Sequence, residues 1–86
     1  MTANPRYNKY VAITKSDTAD FADPPAPQKC CDAIYVGGAG VVVVVDEGGN
    51  TASFTAVAGG YLYTRARRVN STNTTASLLV ALYEGP

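Results

Sequence analysis

The sequence predicts an all-β protein, a small antiparallel β-sandwich or barrel of about six strands with an extended N-terminal arm. Three observations carry this prediction. The valines at 41–45 stand between two glycine-rich segments, and β-branched residues favour strands whereas glycines supply turns. Turn residues recur between short β-prone runs along the chain. No window shows the apolar periodicity and caps of a helix.

Residues 1–30 are predicted to form the arm, and residues 31–86 the antiparallel β domain. The arm contains one short β-prone run at residues 9–14, followed by a long loop. Pro24, Pro25 and Pro27 lie in that loop. Proline has no amide hydrogen for a strand ladder, so this tract predicts an extended connection from the arm to the sheet.

The β domain is predicted from runs of β-prone residues punctuated by glycine and asparagine. The first three strands are expected to form a meander, and the last two a closing hairpin, all joined as antiparallel neighbours. The predicted strands lie near residues 32–36, 41–46, 51–57, 61–69 and 76–83.

The valine strand also predicts association between copies. Alternate residues of a strand face opposite ways, and here both faces are apolar. A second sheet of the same chain covers one face. We expect a neighbour, a partner subunit or an overlying arm to cover the other, and because a chain of 86 residues has a thin core, this points to assembly.

Arg65, Arg67 and Arg68 form the most suggestive polar cluster. In one continuous strand, Arg68 would lie on the more apolar face. It would then need a carboxylate or backbone carbonyls, or it would have to leave the sheet at its edge, because an unpaired buried charge is very costly. A salt bridge between subunits is the favoured interpretation, and solvated arginines at an exposed strand end are the alternative. Tyr61 and Tyr63 share the other face with Arg65, a combination that suits a protein interface or a sugar-stacking surface.

The composition argues against several classes of function and partner. Seven basic and seven acidic residues cancel, which argues against nucleic acid or an anionic membrane as a partner. The absence of histidine removes the commonest general base and metal ligand, so we expect no enzyme, no cofactor and no metal site. Without a signal peptide or a membrane-spanning run, synthesis in the cytoplasm is expected. The adjacent Cys30 and Cys31 are expected to remain thiols.

Six segments follow one another in a recognisable order between Val11 and Tyr83. They are residues 11–18, 32–37, 41–45, 51–60, 65–69 and 79–83. This order resembles a family of small phage virion proteins, the head spike base proteins of gene transfer agents and tailed phages, with Lys15 where the family usually has proline.

The resemblance implies a structural virion protein that forms a ring, a pentamer by preference, at a capsid vertex and carries a spike or fibre. A capsid decoration protein, a tail protein or a carbohydrate-binding β-sandwich would fit the same pattern. The expected interface residues come from three parts of the chain: large apolar side chains of the arm, alternate valines of the valine strand, and the tyrosines and arginines of residues 61–68. They are Tyr7, Tyr10, Phe21, Val41, Val43, Val45, Tyr61, Tyr63, Arg65, Arg67 and Arg68.

Overall fold

The fold, seen in a computed structural model that describes residues 7, 9–21 and 29–84, consists of seven β-strands. No helix occurs among these residues, and none could therefore span a membrane. The strands are β1 (Lys9–Ala12), β2 (Ala33–Gly38), β3 (Gly40–Asp46), β4 (Thr51–Ala56), β5 (Gly60–Leu62), β6 (Ala66–Val69) and β7 (Ser77–Tyr83).

The strands form two antiparallel sheets. One has the order β1-β7-β2-β5 and the other the order β4-β3-β6. Side chains from both sheets meet in one apolar core that includes Ile34, Val42 and Tyr83. The predicted all-β sandwich is confirmed.

The predicted meander is wrong at its first connection. β2 and β3 do not pair, because the chain passes from one sheet to the other at Ala39 and Gly40. Gly40 has a φ of +153°, and a Cβ there would lie 2.7 Å from the Ala76 amide nitrogen. Glycine is therefore required at this crossing. Among the seven strands that the structure describes, only β3 and β4 form a hairpin.

The predicted strand 61–69 is two strands in different sheets. β5 pairs with β2, whereas β6 pairs with β3. The intervening residues 63–65 carry the chain across the sandwich, so β6 and β7 do not form the expected closing hairpin. The face assignment for the arginines, which assumed one continuous strand, is wrong for the same reason.

Part of the predicted arm belongs to the sandwich. β1 pairs with β7 along its whole length. The segment after it follows the edge of β6, where the Ser16 amide donates to the Val69 carbonyl at 2.9 Å and the Phe21 amide to the Arg67 carbonyl at 2.8 Å. The proline tract, residues 24–27, lies outside the described residues.

Both faces of β3 are buried within the single chain. Val42 and Val44 point into the core between the sheets. On the opposite face, Val43 and Val45 are only 6% and 1% exposed. The loop at 70–76 runs beside this strand, and the Val43 amide donates to Thr74 Oγ1 at 3.0 Å. The expectation that a neighbour must cover Val43 and Val45 is therefore wrong.

Candidate functional site: an uncharged aromatic sheet face

The outer face of the sheet β1-β7-β2-β5 carries no charged side chain at its strand positions. In register, Tyr10 lies opposite Leu82, and Val80 opposite Tyr35. Side chains alternate in direction along a strand, so every second residue points outward to this face and the residues between them point into the core. The outer positions are Tyr10, Ala12, Ala33, Tyr35, Gly37, Tyr61, Leu78, Val80 and Leu82. We call this surface the tyrosine face.

Tyrosine rings form a groove on this face. The groove has a volume of about 650 Å³, and it is lined by Tyr7, Tyr10, Tyr35, Tyr61, Tyr63, Val80 and Leu82. Tyr35 and Tyr61 meet edge to face with ring centroids 5.4 Å apart. Tyr61 and Tyr63 stack nearly parallel, with centroids 6.1 Å apart. Each such ring pair contributes about 0.5–1.5 kcal/mol beyond the burial of its surface.

Much of this apolar surface is open to solvent. Tyr10 is 69% exposed, Tyr63 is 71% exposed and Leu78 is 76% exposed. Large exposed apolar patches are common at binding surfaces of small proteins. Its uncharged, tyrosine-rich composition is typical of the centre of a protein interface.

Leu78 combines exposure with an unfavourable backbone. Its φ is +54°, a left-handed conformation that costs a non-glycine residue about 1–3 kcal/mol. A Cβ added to neighbouring Gly37 would lie 2.7 Å from the Leu78 Cβ, so Leu78 occupies the space above a residue that has no side chain. Leu78 thus combines an exposed apolar side chain with a backbone conformation that glycine or asparagine would adopt at less cost.

Four of the predicted interface residues lie together here, and their role at an interface stays a prediction. Tyr7, Tyr10, Tyr61 and Tyr63 were expected at an interface, and the fold brings all four to one groove. The prediction missed Tyr35, Val80, Leu82 and Leu78. The available signal was that every residue from 33 to 37 and from 78 to 82 is uncharged, which indicates that neither face of β2 or β7 carries charge there.

Other predicted interface residues do not join this site. Phe21 is half-buried and packs against the protein's own core, together with Val11 and Ile13. Val41 is half-buried on β3, in the other sheet. These side chains stabilise the single chain.

The arginines find partners within the chain. Arg68 Nη1 lies 3.2 Å from Asp20 Oδ1 and also donates to the Thr18 carbonyl at 3.2 Å. Arg67 Nε lies 3.7 Å from the same Asp20 oxygen. Arg65 pairs with Glu47 at 3.6 Å. The expected salt bridge from Arg68 to another subunit is therefore wrong. Arg68, on β6, instead bonds to Asp20 and Thr18 in the segment that follows β1 of the same chain.

The cysteines and acidic residues offer little chemistry. Neither Cys30 nor Cys31 forms a disulfide, and both side chains are buried. Burial raises the pKa of the Cys31 thiol to about 11, so at neutral pH it is not a nucleophilic thiolate. Among the described residues, no group of three or more potential metal ligands occurs.

The turn between β3 and β4 is held by an aspartate. Asp46 Oδ1 accepts hydrogen bonds from the Gly48 amide at 2.9 Å and the Asn50 amide at 2.8 Å. These hydrogen bonds, with that of the Asn50 backbone foremost, lower the pKa of Asp46 below its ordinary value of 3.8. The carboxylate thus satisfies backbone donors of a tight turn.

The fold and this surface define a small β-sandwich whose distinguishing feature is an exposed aromatic sheet face. Among solved structures, the chain is similar to a chain of the "Capsid of native GTA particle computed with C5 symmetry". The two share 34% sequence identity with a TM-score of 0.76, over 90% of this chain and 83% of that chain. No family model and no curated protein matches. The chain belongs to the family of virion structural proteins represented in that particle.

Proposed function

We propose that this chain is a non-enzymatic spike base, which forms a ring at a fivefold capsid vertex and carries a spike or fibre. The similarity to a chain of a capsid computed with C5 symmetry is the observation that carries the proposal. Fivefold symmetry brings equivalent copies of a protein together around one axis, and contacts between unlike surfaces of such copies close into a ring. A pentamer is the expected assembly.

The tyrosine face supports a carrying role. It remains accessible on the single chain, and Tyr35, Tyr61 and Tyr63 contact one another through their rings. Aromatic residues that are already ordered lose little entropy on binding, which makes them strong anchors at interfaces. We assign this face to the attached spike or fibre protein.

A structural role also agrees with the chemistry of the chain. The sequence has no histidine. The raised pKa values of Cys30 and Cys31 disfavour their thiolate forms. The groove on the tyrosine face is lined by tyrosine and aliphatic side chains, which suit contact and not proton transfer.

Particles carrying variants of the tyrosine face test the assignment. Leu78→Asn replaces an exposed apolar side chain with one that tolerates a left-handed backbone, so the fold should be kept. We expect such particles to contain the base protein and to lack the spike, as seen by mass spectrometry of purified particles. Tyr63→Glu should act in the same way.

Ser71→Asp is the matched control, since Ser71 lies in the exposed loop at 70–76, away from the tyrosine face. Particles carrying Ser71→Asp should retain the spike. Full spike content in Leu78→Asn and Tyr63→Glu particles would contradict the carrying role and favour a capsid decoration or tail protein.

Carbohydrate binding is the second candidate, favoured by the exposed, stacked rings of Tyr61 and Tyr63. Sugar rings stack on aromatic side chains of this kind. A glycan array probed with the purified protein tests it. Binding that Tyr63→Ala abolishes would support a sugar site, and the absence of binding to any glycan would remove this candidate.

A further inference from the structure

Strand β4 presents an open edge on one side of the sandwich. It is the outer strand of its sheet and pairs only with β3. The Asp46 amide donates to the Asn50 carbonyl at 2.8 Å, which fixes the alternation of the ladder. The backbone groups of Ala52 and Phe54 therefore face β3. Those of residues 51, 53 and 55 point outward, and no backbone hydrogen bond within the described residues reaches them.

This edge lacks the features that normally protect an edge strand. β4 contains no charge and no proline, and its register with β3 is unbroken. Five of its six residues are exposed. Edge strands without such protection pair readily with another chain. The opposite edge of the same sheet is covered, since the segment after β1 and the Cys31 amide bond to the carbonyls of β6.

A second open edge lies on the other side of the molecule. β1 is an outer strand of its sheet and pairs only with β7. The Ile13 amide donates to the Leu79 carbonyl at 2.9 Å, so the ladder alternation turns the backbone groups of Tyr10 and Ala12 outward. The two outward residues of β1 offer one donor and one acceptor each.

The two edges lie on opposite sides of the sandwich. On one side, β4 contacts β5, which is the edge strand of the first sheet. On the other side, β1 continues into the segment that bonds to β6, which is the edge strand of the second sheet. A contact between opposite sides of identical chains is head-to-tail, and it produces a ring when the rotation closes.

We propose that the open edge of β4 in one copy pairs with the open edge of β1 in the next copy. Main-chain hydrogen bonds then join a strand of each subunit into a sheet that crosses the interface. This inference rests on the proposed ring, and it identifies a second copy of this chain as the partner of β4. The tyrosine face stays available for a different protein, because it is a sheet face and not an edge.

Two proline variants test the pairing. Ser53→Pro removes an outward amide of β4 and keeps every hydrogen bond to β3, so it should fold. Ala12→Pro does the same on β1. We expect native mass spectrometry to show a ring for the wild type and a monomer for each variant alone. Ser53→Thr, which keeps the amide, should still form the ring.

Mixing the two variants identifies the head-to-tail contact. Ser53→Pro keeps an intact β1, and Ala12→Pro keeps an intact β4. One productive contact remains possible between them, so the mixture should give a 1:1 heterodimer and no ring. Circular dichroism of each variant should show the wild-type strand signal.

Three other outcomes would contradict the inference, and they distinguish the strand pairing from the ring itself. A ring of unchanged mass from folded Ser53→Pro would refute edge pairing and leave the ring proposal standing. A homodimer of Ala12→Pro would show that β4 pairs with a second β4 across a twofold axis. A wild type that stays monomeric at high concentration would contradict both the pairing and the proposed ring.

Discussion

Replacement of Arg68 by alanine should destabilise the single chain. The Arg68 side chain is 19% exposed and pairs with Asp20 at 3.2 Å. It also donates to the Thr18 carbonyl and to Asn70 Oδ1. Because Asp20 is half exposed, the ion pair contributes only about 0.2–1 kcal/mol. The two further hydrogen bonds contribute roughly 0.5–1.5 kcal/mol each.

Together these contacts predict a loss of about 2 kcal/mol in the free energy of unfolding for Arg68→Ala. For a domain of this size, that loss lowers Tm by roughly 8–16 °C. Urea unfolding followed by circular dichroism measures the change. Because assembly adds apparent stability, the measurement is made at two protein concentrations.

Arg65→Ala is the matched control. Arg65 pairs with Glu47 at 3.6 Å, and more than half of each side chain is exposed. Its removal should change the free energy of unfolding by less than about 0.5 kcal/mol. Equal losses for Arg65→Ala and Arg68→Ala would refute the conclusion that Arg68 fastens the segment after β1 to β6.

Three further predictions concern the core, a thiol and a turn. Val43→Asp buries a charge on β3 and should abolish the strand signal in circular dichroism, because the unpaired carboxylate costs several kcal/mol. Cys31 should resist iodoacetamide at neutral pH and react fully in denaturant, as its burial and its pKa of about 11 require; rapid labelling of the folded protein would contradict this. The lowered pKa of Asp46 stabilises the fold above the unfolded value of 3.8, and this contribution is lost as the pH falls through the folded value. Asp46→Asn should therefore show a smaller drop in Tm on acidification than the wild type.

Local chemistry made the strands predictable. β3 follows from five β-branched residues, and its hairpin with β4 follows from the aspartate, glycine and asparagine of the turn. These signals act over a few residues. They identify where a strand begins and ends without stating which strand lies beside it.

Sheet membership could not be predicted in the same way. β1 pairs with β7, a partner about seventy positions later in the chain. The crossing at residues 63–65 has no glycine or proline, so the run from 61 to 69 looked continuous. The tyrosine face depends on this topology. Its tyrosines come from β1, β2 and β5, which are distant in the chain. They share one face only because these strands belong to the same sheet, in the order β1-β7-β2-β5.

The expected role of the valine strand failed for a related reason. An apolar strand shows that both faces are buried, but it does not say by what. Here the chain itself buries Val43 and Val45, with the loop at 70–76 running beside β3. The uncharged neighbour β4, with its open edge, is the part of the hairpin that remains available to another subunit.

Cryo-electron microscopy of intact particles tests the central claim most directly. We expect a reconstruction computed with fivefold symmetry to contain this β-sandwich as a ring of five copies at a vertex, with the spike on the tyrosine face. Particles from a strain lacking the gene should lose both the ring and the spike. Particles that contain no copy of the chain, or that hold it as isolated monomers away from the vertices, would contradict the account.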